Sequence, residues 1–187
     1  LGWEKKAYHT IRDLLEPEYS PSSAWCFSKN RGMIDEYIVE YASYAGAGSG
    51  AFGLEEGTLV VNVFSVENYI EAVEANADAA AFRHRFSNGE YLRYRLLMQM
   101  FGGVIDISTL MEYQNRWNTL LVRTLTALLR ITGAAKSKTG NLLVTERGAF
   151  YALLLMKHFF EGVGKLRGSC VTAHNIGTVL DTAHSRT

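Results

Sequence analysis

From Gly46 to Gly53 the chain reads Gly-Ala-Gly-Ser-Gly-Ala-Phe-Gly, four glycines alternating with small or aromatic residues. Glycine is needed where φ must be positive or where backbone must come very close to another group. The stretch is therefore a candidate surface for a ligand held against main-chain atoms. Gly46-x-Gly48-x-x-Ala51 has the spacing of a dinucleotide fingerprint, but that fingerprint opens a long helix inside a βαβ unit. Here Glu55-Glu56-Gly57 and then Thr58 to Val63 follow, which read as a turn and a strand, so context excludes the dinucleotide reading. A glycine-rich turn between two strands with no ligand at all satisfies the same residues. The other chemistry-bearing side chains are scattered. Cys26 and Cys170 sit in unrelated surroundings with no nucleophile signature near either. Cys170, His174 and His184 match no standard zinc spacing. His9, His84 and His158 read as surface or partly buried helix residues, so no catalytic and no metal-ligating residue is assigned. Arg123, Arg130, Lys136, Lys138 and Arg147 form a basic cluster, the composition of either a nucleic-acid-binding winged helix or a solvated helix face.

The elements that must position these residues follow from periodicity and punctuation. Ile38 and Val39, with Tyr37, Tyr41 and Tyr44, have strand composition and lead straight into the glycine loop. Upstream, Trp3 to Glu16 reads as an amphipathic helix stopped by Pro17, and Tyr19 to Ser28 as a short strand. Trp25 and Phe27 in that strand are read as core, and Lys29 to Gly32 as a polar turn. Downstream, Ser65 is expected to cap a helix from Val66 to about Asn76, with Asn62 in a local structural role. The alanine-rich run Ala75 to Ala81 either extends that helix or connects to the next element. A helix from Gly89 to Phe101 is capped by Asn88 or Ser87 and closed by Gly102-Gly103. Ser108 starts a second helix through Leu110 and Tyr113. Asn118 precedes a third, with Leu120, Leu121, Leu125, Leu128 and Leu129 as a broad apolar stripe. Strands at Ala134-Ala135 and Leu142 to Val144 flank a turn at Lys136 to Asn141. Thr145 caps a last helix through Phe160. Beyond Gly162 periodicity fades, and Val171 to Thr187 reads as an extended or loosely docked tail. The order helix, helix, helix, hairpin, helix is winged-helix-like.

Composition sets the class. With 187 residues, 48% hydrophobic and 20% charged, the chain is long and apolar enough for a globular core. Lys plus Arg and Asp plus Glu are 19 each, so the net charge is zero. That balance argues against a protein built to neutralise phosphate backbones and favours the solvated-face reading of the basic cluster. Two cysteines with no CxxC fit a reducing cytoplasm, and no apolar run or leader points to a membrane.

Taken in order, the glycine loop, Asn62, Val66-Glu67-Asn68-Tyr69-Ile70 and Leu142-Leu143-Val144-Thr145-Glu146-Arg147-Gly148 resemble the C-terminal part of oxygen-independent coproporphyrinogen III oxidase-like radical S-adenosylmethionine (SAM) proteins. That family has a strand, a G-x-G-x-x-A-x-S-type loop, an asparagine, a helix carrying a tyrosine, a helical domain with a small wing, and a TxxG helix start. The resemblance implies an α+β chain divided into three parts. Residues 1–64 would be the last β/α elements of a partial TIM-like barrel, residues 65–163 a winged-helix-like substrate lid, and residues 164–187 a tail. It also implies cofactor contact at Gly46, Gly48, Gly50, Ala51 and Phe52. Phe52 and Gly53 depart from the small or aliphatic residue and the serine usual there. The implied cofactors are SAM and a [4Fe–4S] cluster, whose CxxxCxxC ligands are absent from this sequence. The chain begins at Leu1 just ahead of a helix and is expected to be one piece of a longer protein, inactive without the N-terminal radical SAM core. The implied activity is oxidative decarboxylation of porphyrinogen propionates in haem biosynthesis, with a tetrapyrrole or other small molecule as substrate. Haem chaperones and radical SAM methyltransferases share the family. The alternative from another class is a non-catalytic winged-helix module binding nucleic acid or protein.

Overall fold

A computed structural model of the protein describes residues 2–29, 41–111, 116–175 and 180–181. In chain order the elements are α1 (Gly2–Leu15), β1 (Ser20–Pro21), β2 (Phe27–Ser28), β3 (Phe52–Glu55), β4 (Thr58–Asn62), α2 (Val66–Glu74) and β5 (Ala80–Arg85). They continue with α3 (Asn88–Gly102), β6 (Val104–Ile105), α4 (Ile107–Met111), α5 (Arg116–Ile131), β7 (Ala135–Lys138), β8 (Asn141–Val144), α6 (Glu146–Asn175) and β9 (Leu180–Asp181). The described residues thus form a mixed α/β chain of six helices and three small, mainly antiparallel sheets, ordered β1-β2, β3-β4-β5-β9 and β6-β8-β7. No helix among them is long and apolar enough to cross a membrane. The strand expected at Ile38-Val39 and the end of the second helix at Tyr113 lie outside the described residues.

Two compact units divide the chain, Leu1–Glu40 with Leu92–Lys157, and Tyr41–Tyr91 with His158–Thr187. In the first, the strands of the β6-β8-β7 sheet alternate along the chain with helices, in the order α3, β6, α4, α5, β7, β8, α6. Phe101, Ile105, Leu142, Ala134 and Ala152 are completely or almost completely buried there, and Leu110 and Val122 lie close behind. Burying a Leu, Ile or Phe side chain contributes about 1.5–3 kcal/mol, so these residues fix how the short strands and helices meet. Trp25 meets Phe101 edge to face at 5.2 Å, the core contact expected of it. The segment Tyr19 to Ser28 is two short antiparallel strands rather than one, because Ser23 bends the chain by accepting from the Cys26 N–H at 3.1 Å.

Three further expectations in this unit are corrected. Asn118 does not precede α5 but lies within it, buried. The face that α5 buries carries Asn118, Val122 and Thr126, while Leu120 and Leu128 are 57% and 50% exposed. A leucine-rich helix with two apolar faces leaves the period ambiguous; on the buried face the Thr126 hydroxyl is satisfied within the helix by donating to the Val122 carbonyl at 2.7 Å. The β7-β8 turn is only Thr139-Gly140, both with positive φ, so the strands run further into the polar stretch than expected.

The second unit is built on the β3-β4-β5 sheet, with β9 added in parallel to β5. Val61, Ala81, Phe82 and Cys170 form its buried centre, with Phe52, Leu59, Val63, Phe64 and Leu166 packed around them. Val61 pairs with Phe82 but Asn62 with Ala80, so the ladder slips by one residue and Ala81 has no partner on β4. Such a bulge lets consecutive residues face the same side, and Ala81 and Phe82 both enter the core. The alanine-rich run was expected to be helix or connector. Residues 75–79 are the connector, but Ala80 and Ala81 instead open strand β5, because pairing with β4 and burial outweigh the weak strand propensity of alanine. The last helix was expected to end near Gly162 and continues to Asn175. Val163, Leu166 and Cys170 supply a sparse i, i+3, i+7 stripe among exposed residues, and Leu166 and Cys170 dock it on the sheet.

Candidate functional site

The glycine loop connects Tyr44 to β3 within the second unit. Tyr44 and Leu54 exchange both backbone hydrogen bonds at 2.8 Å, closing the base of the loop. Above that base, Gly46 and Gly53 lie back to back. A Cβ on Gly46 would fall 2.6 Å from the Phe52 carbonyl carbon and oxygen, and one on Gly53 2.8 Å from the Gly46 nitrogen. Gly50 rests on the Phe64 ring, where a Cβ would meet Cδ1 at 2.6 Å. Phe64 belongs to the packed core and carries the Arg167 guanidinium 5.4 Å from its ring centroid. These three glycines are required by close approach of the protein to itself.

Gly48 differs. Its φ is +104°, outside the range of ordinary L residues, yet no atom lies within 4 Å of where its Cβ would be. Open space therefore faces the tip Ala47–Gly48–Ser49, of which Ala47 and Ser49 are exposed. The tip is held from below. The Asn62 amide donates to the carbonyls of Gly46 and Gly48, both at 3.0 Å, and both acceptors being carbonyls fixes which end of the amide points at them. The Gly48 N–H donates to the Tyr69 hydroxyl at 3.0 Å. Gly50 N–H donates to the carbonyl of Val63, just past β4, at 2.8 Å, and within the loop Ala51 N–H donates to the Gly48 carbonyl at 3.3 Å. Asn62 ends β4, and Tyr69 stands in the first turns of α2, which Ser65 caps by accepting from the Asn68 N–H at 3.2 Å.

Of the five residues expected at a cofactor, Gly46, Gly48, Gly50, Ala51 and Phe52 are all brought into this one loop. Gly46 and Gly50 are packed against protein, Phe52 is partly buried against the Val61 and Phe82 core, and of the five Gly48 is the glycine with open space where a Cβ would stand. Tyr69 had no role from periodicity. Its signal in the sequence was its place in Val66 to Ile70, and its reach back to residue 48 needed the fold. Phe64 and Arg167, which support Gly50, carried no signal.

The scattered residues stay scattered. His9 pairs with Glu146, which also lies 3.8 Å from Arg12. His84 lies between the Phe82 and Phe86 rings and 3.9 Å from Glu90. His158 is an exposed partner of Glu161 at 3.5 Å. Cys170 is fully buried, and burial pushes its thiol pKa up, away from reactivity. The His174 side chain and all of His184 lie outside the described residues. Among the described residues no group of three or more His, Cys, Asp or Glu is placed to hold a metal ion. Arg123, Arg130, Lys136, Lys138 and Arg147 are exposed, and Arg147 donates to the Thr132 carbonyl at 3.0 Å. The Thr145-to-Gly148 helix start is a clamp. Thr145 donates its N–H to the Ala134 carbonyl at 2.9 Å and its hydroxyl to the Gly133 carbonyl at 2.7 Å, while Oγ1 accepts from the Gly148 N–H at 3.2 Å.

No protein-family model matches the chain, and no curated protein matches it in sequence. Among solved structures, the coproporphyrinogen III oxidase HemN from Escherichia coli, described as a radical SAM enzyme, is similar to it with a TM-score of 0.50. The identity is 14%, and the likeness covers 77% of this chain and 37% of that one. At that identity the likeness concerns the fold. The chain spans little more than a third of the length of the protein it resembles.

Proposed function

We propose that this chain is the C-terminal portion of a radical SAM oxidoreductase of the coproporphyrinogen III oxidase type. The observation that carries the reading is a HemN-like fold whose glycine loop is braced on its inner side and has open space beside the Gly48 Cα. The residues fit SAM in one respect, since an open stretch of main chain at Ala47 to Ser49 can lie against a nucleoside without side-chain obstruction. Gly48 is then the point of contact, Ala51 lies beside it, and Gly46, Gly50 and Phe52 act as its support. Bound SAM supplies the hydrogen-abstracting chemistry in enzymes of this kind. The residues do not fit a [4Fe–4S] cluster. Cys26 and Cys170 are the chain's two cysteines and one of them is buried in the core, so cluster ligands belong to an N-terminal radical SAM core of the same protein.

In this reading residues 1–64, the glycine loop among them, belong to the end of the barrel. Residues 65–163, winged-helix-like in the order of their helices and β6-β8-β7 sheet, form the substrate lid. A lid that excludes water suppresses side reactions of a reactive intermediate. The substrate class is a tetrapyrrole carrying propionates, and the reaction its oxidative decarboxylation in haem biosynthesis, in the cytoplasm.

The test is the full-length reading frame. It is expected to encode CxxxCxxC upstream of Leu1, and the purified, anaerobically reconstituted protein to bind SAM, release 5′-deoxyadenosine under reduction and convert coproporphyrinogen III. A full-length protein without those cysteines, or one that neither binds nor cleaves SAM, refutes the proposal.

A further inference from the structure

We infer that Asn62 and Tyr69 are positioning residues for ligand binding, fixing the Gly48 peptide in the conformation that a ligand reads. The inference rests on the reading of the loop as a SAM contact. Gly48 is the one loop glycine whose glycine character is not explained by packing, for nothing stands within 4 Å of its missing Cβ. A residue at φ +104° with open space beside it has many conformations available and little steric reason to keep this one. Its main-chain groups are nevertheless both held by side chains, its N–H by the Tyr69 hydroxyl and its carbonyl by the Asn62 amide, each at 3.0 Å, the Ala51 N–H sharing the carbonyl at a longer 3.3 Å. The two anchors come from different elements, the last residue of β4 and the N-terminal half of α2, so they grip the tip from separate directions. Asn62 also holds the Gly46 carbonyl, so one amide ties together the base and the tip of the loop.

Neither anchor is needed to make its own element. The β4 backbone pairs without the Asn62 side chain, and α2 is capped by Ser65. Two polar side chains spent on a bare, exposed loop tip make physical sense if rigidity there improves binding, because a preordered surface loses less entropy when a ligand docks.

The experiment uses the full-length protein, with SAM affinity measured by equilibrium dialysis and folding by thermal midpoint. Tyr69→Phe deletes one anchoring hydrogen bond and is expected to raise the SAM Kd about 3- to 10-fold, the range of a single neutral hydrogen bond. Asn62→Asp, which replaces the donor with an acceptor facing two carbonyls, is expected to raise it more than tenfold. Ser65→Ala weakens the same helix without touching the tip, and is expected to lower the midpoint while leaving Kd unchanged. Tyr69→Phe and Asn62→Asp binding SAM as tightly as the unaltered protein overturns the inference. So does a loss of affinity that merely follows the loss of stability, with Ser65→Ala included. Ala47→Trp separates this from the underlying reading. If it abolishes SAM binding while the two anchor variants do not, the loop is the contact and the anchors are only structural. If Ala47→Trp binds SAM normally, the loop is not the contact and both ideas fall.

Discussion

Replacing Gly148 by alanine tests the reasoning about the start of α6 because the two relevant effects have opposite signs. Alanine is favoured over glycine inside a helix by about 0.5–1 kcal/mol, so an unobstructed helical glycine gains stability when replaced. Gly164 and Gly168 are in that situation, with nothing within 4 Å of the added methyl. Gly148 is buried, and its added Cβ would fall inside van der Waals contact of the Ala134 carbonyl oxygen, 2.9 Å from the Ala134 carbonyl carbon and 2.8 Å from Val144 Cγ1. Ala134 cannot retreat freely, since the Thr145 N–H holds its carbonyl at 2.9 Å. Overpacking of this kind costs about 1–3 kcal/mol. Breaking the Thr145 hydrogen bond adds about 0.5–1.5 kcal/mol. Set against the propensity gain, Gly148→Ala is expected to destabilise by about 2 kcal/mol, a fall in Tm of about 4–8 °C for a chain of this size. Gly168→Ala is expected to raise Tm by a degree or more. Both are read by circular dichroism melts of the same preparation. A Gly148→Ala protein that melts at or above the unaltered protein would refute the account of the clamp.

Other consequences follow from the same structure. Cys170, fully buried with its thiol pKa raised by burial, is expected to react with a thiol-specific dye only after unfolding, while partly exposed Cys26 reacts first; single Cys→Ala variants assign the two phases. Ser87→Ala removes a reciprocal cap, in which Ser87 Oγ accepts from the Glu90 N–H at 3.3 Å and Glu90 accepts from the Ser87 N–H at 2.9 Å, and is expected to cost about 1 kcal/mol in denaturant titrations. The Asp78 pKa is lowered chiefly by its hydrogen bond to Arg83, and that of Asp106 chiefly by its hydrogen bond to Ser108. Lowered carboxylate values give stability that is complete above the unfolded pKa near 4 and is lost as pH falls through the folded values. Melting curves between pH 5 and 2 are expected to show a reduced acid-induced loss in Asp106→Asn, and a pH dependence identical to that of the unaltered protein would count against this.

Local signals in the sequence were readable at the helix starts. Ser65, Ser87 and Thr145 cap helices because a hydroxyl reaches an N–H three residues on, which needs no tertiary context. The turn-strand reading of Glu55 to Asn62 held for the same reason. Strand β5 was hidden because Ala80 and Ala81 have no strand preference of their own, and their fate is decided by β4 and by Cys170 far along the chain. The continuation of α6 was hidden because Gly162, Gly164 and Gly168 dilute a stripe that only three residues carry. The five loop residues were visible as a group, but which of them is bare and which are packed depended on Phe64, Asn62 and Tyr69.

The buried centre of the loop-bearing unit joins Val61 and Phe82 to Leu166 and Cys170. The chain between them includes the whole β6-β8-β7 sheet and helices α4 and α5, which belong to the other unit. During synthesis, then, the glycine loop and its sheet emerge long before the helix that covers their apolar side. Closure over so great a separation is slow. Until α6 docks, Val61, Ala81 and Phe82 form an exposed apolar sheet face of the kind that recruits chaperones or aggregates. Expression yield should therefore depend strongly on the apolar docking residues of α6, Leu166 above all, even though they lie more than a hundred residues from the tip of the loop.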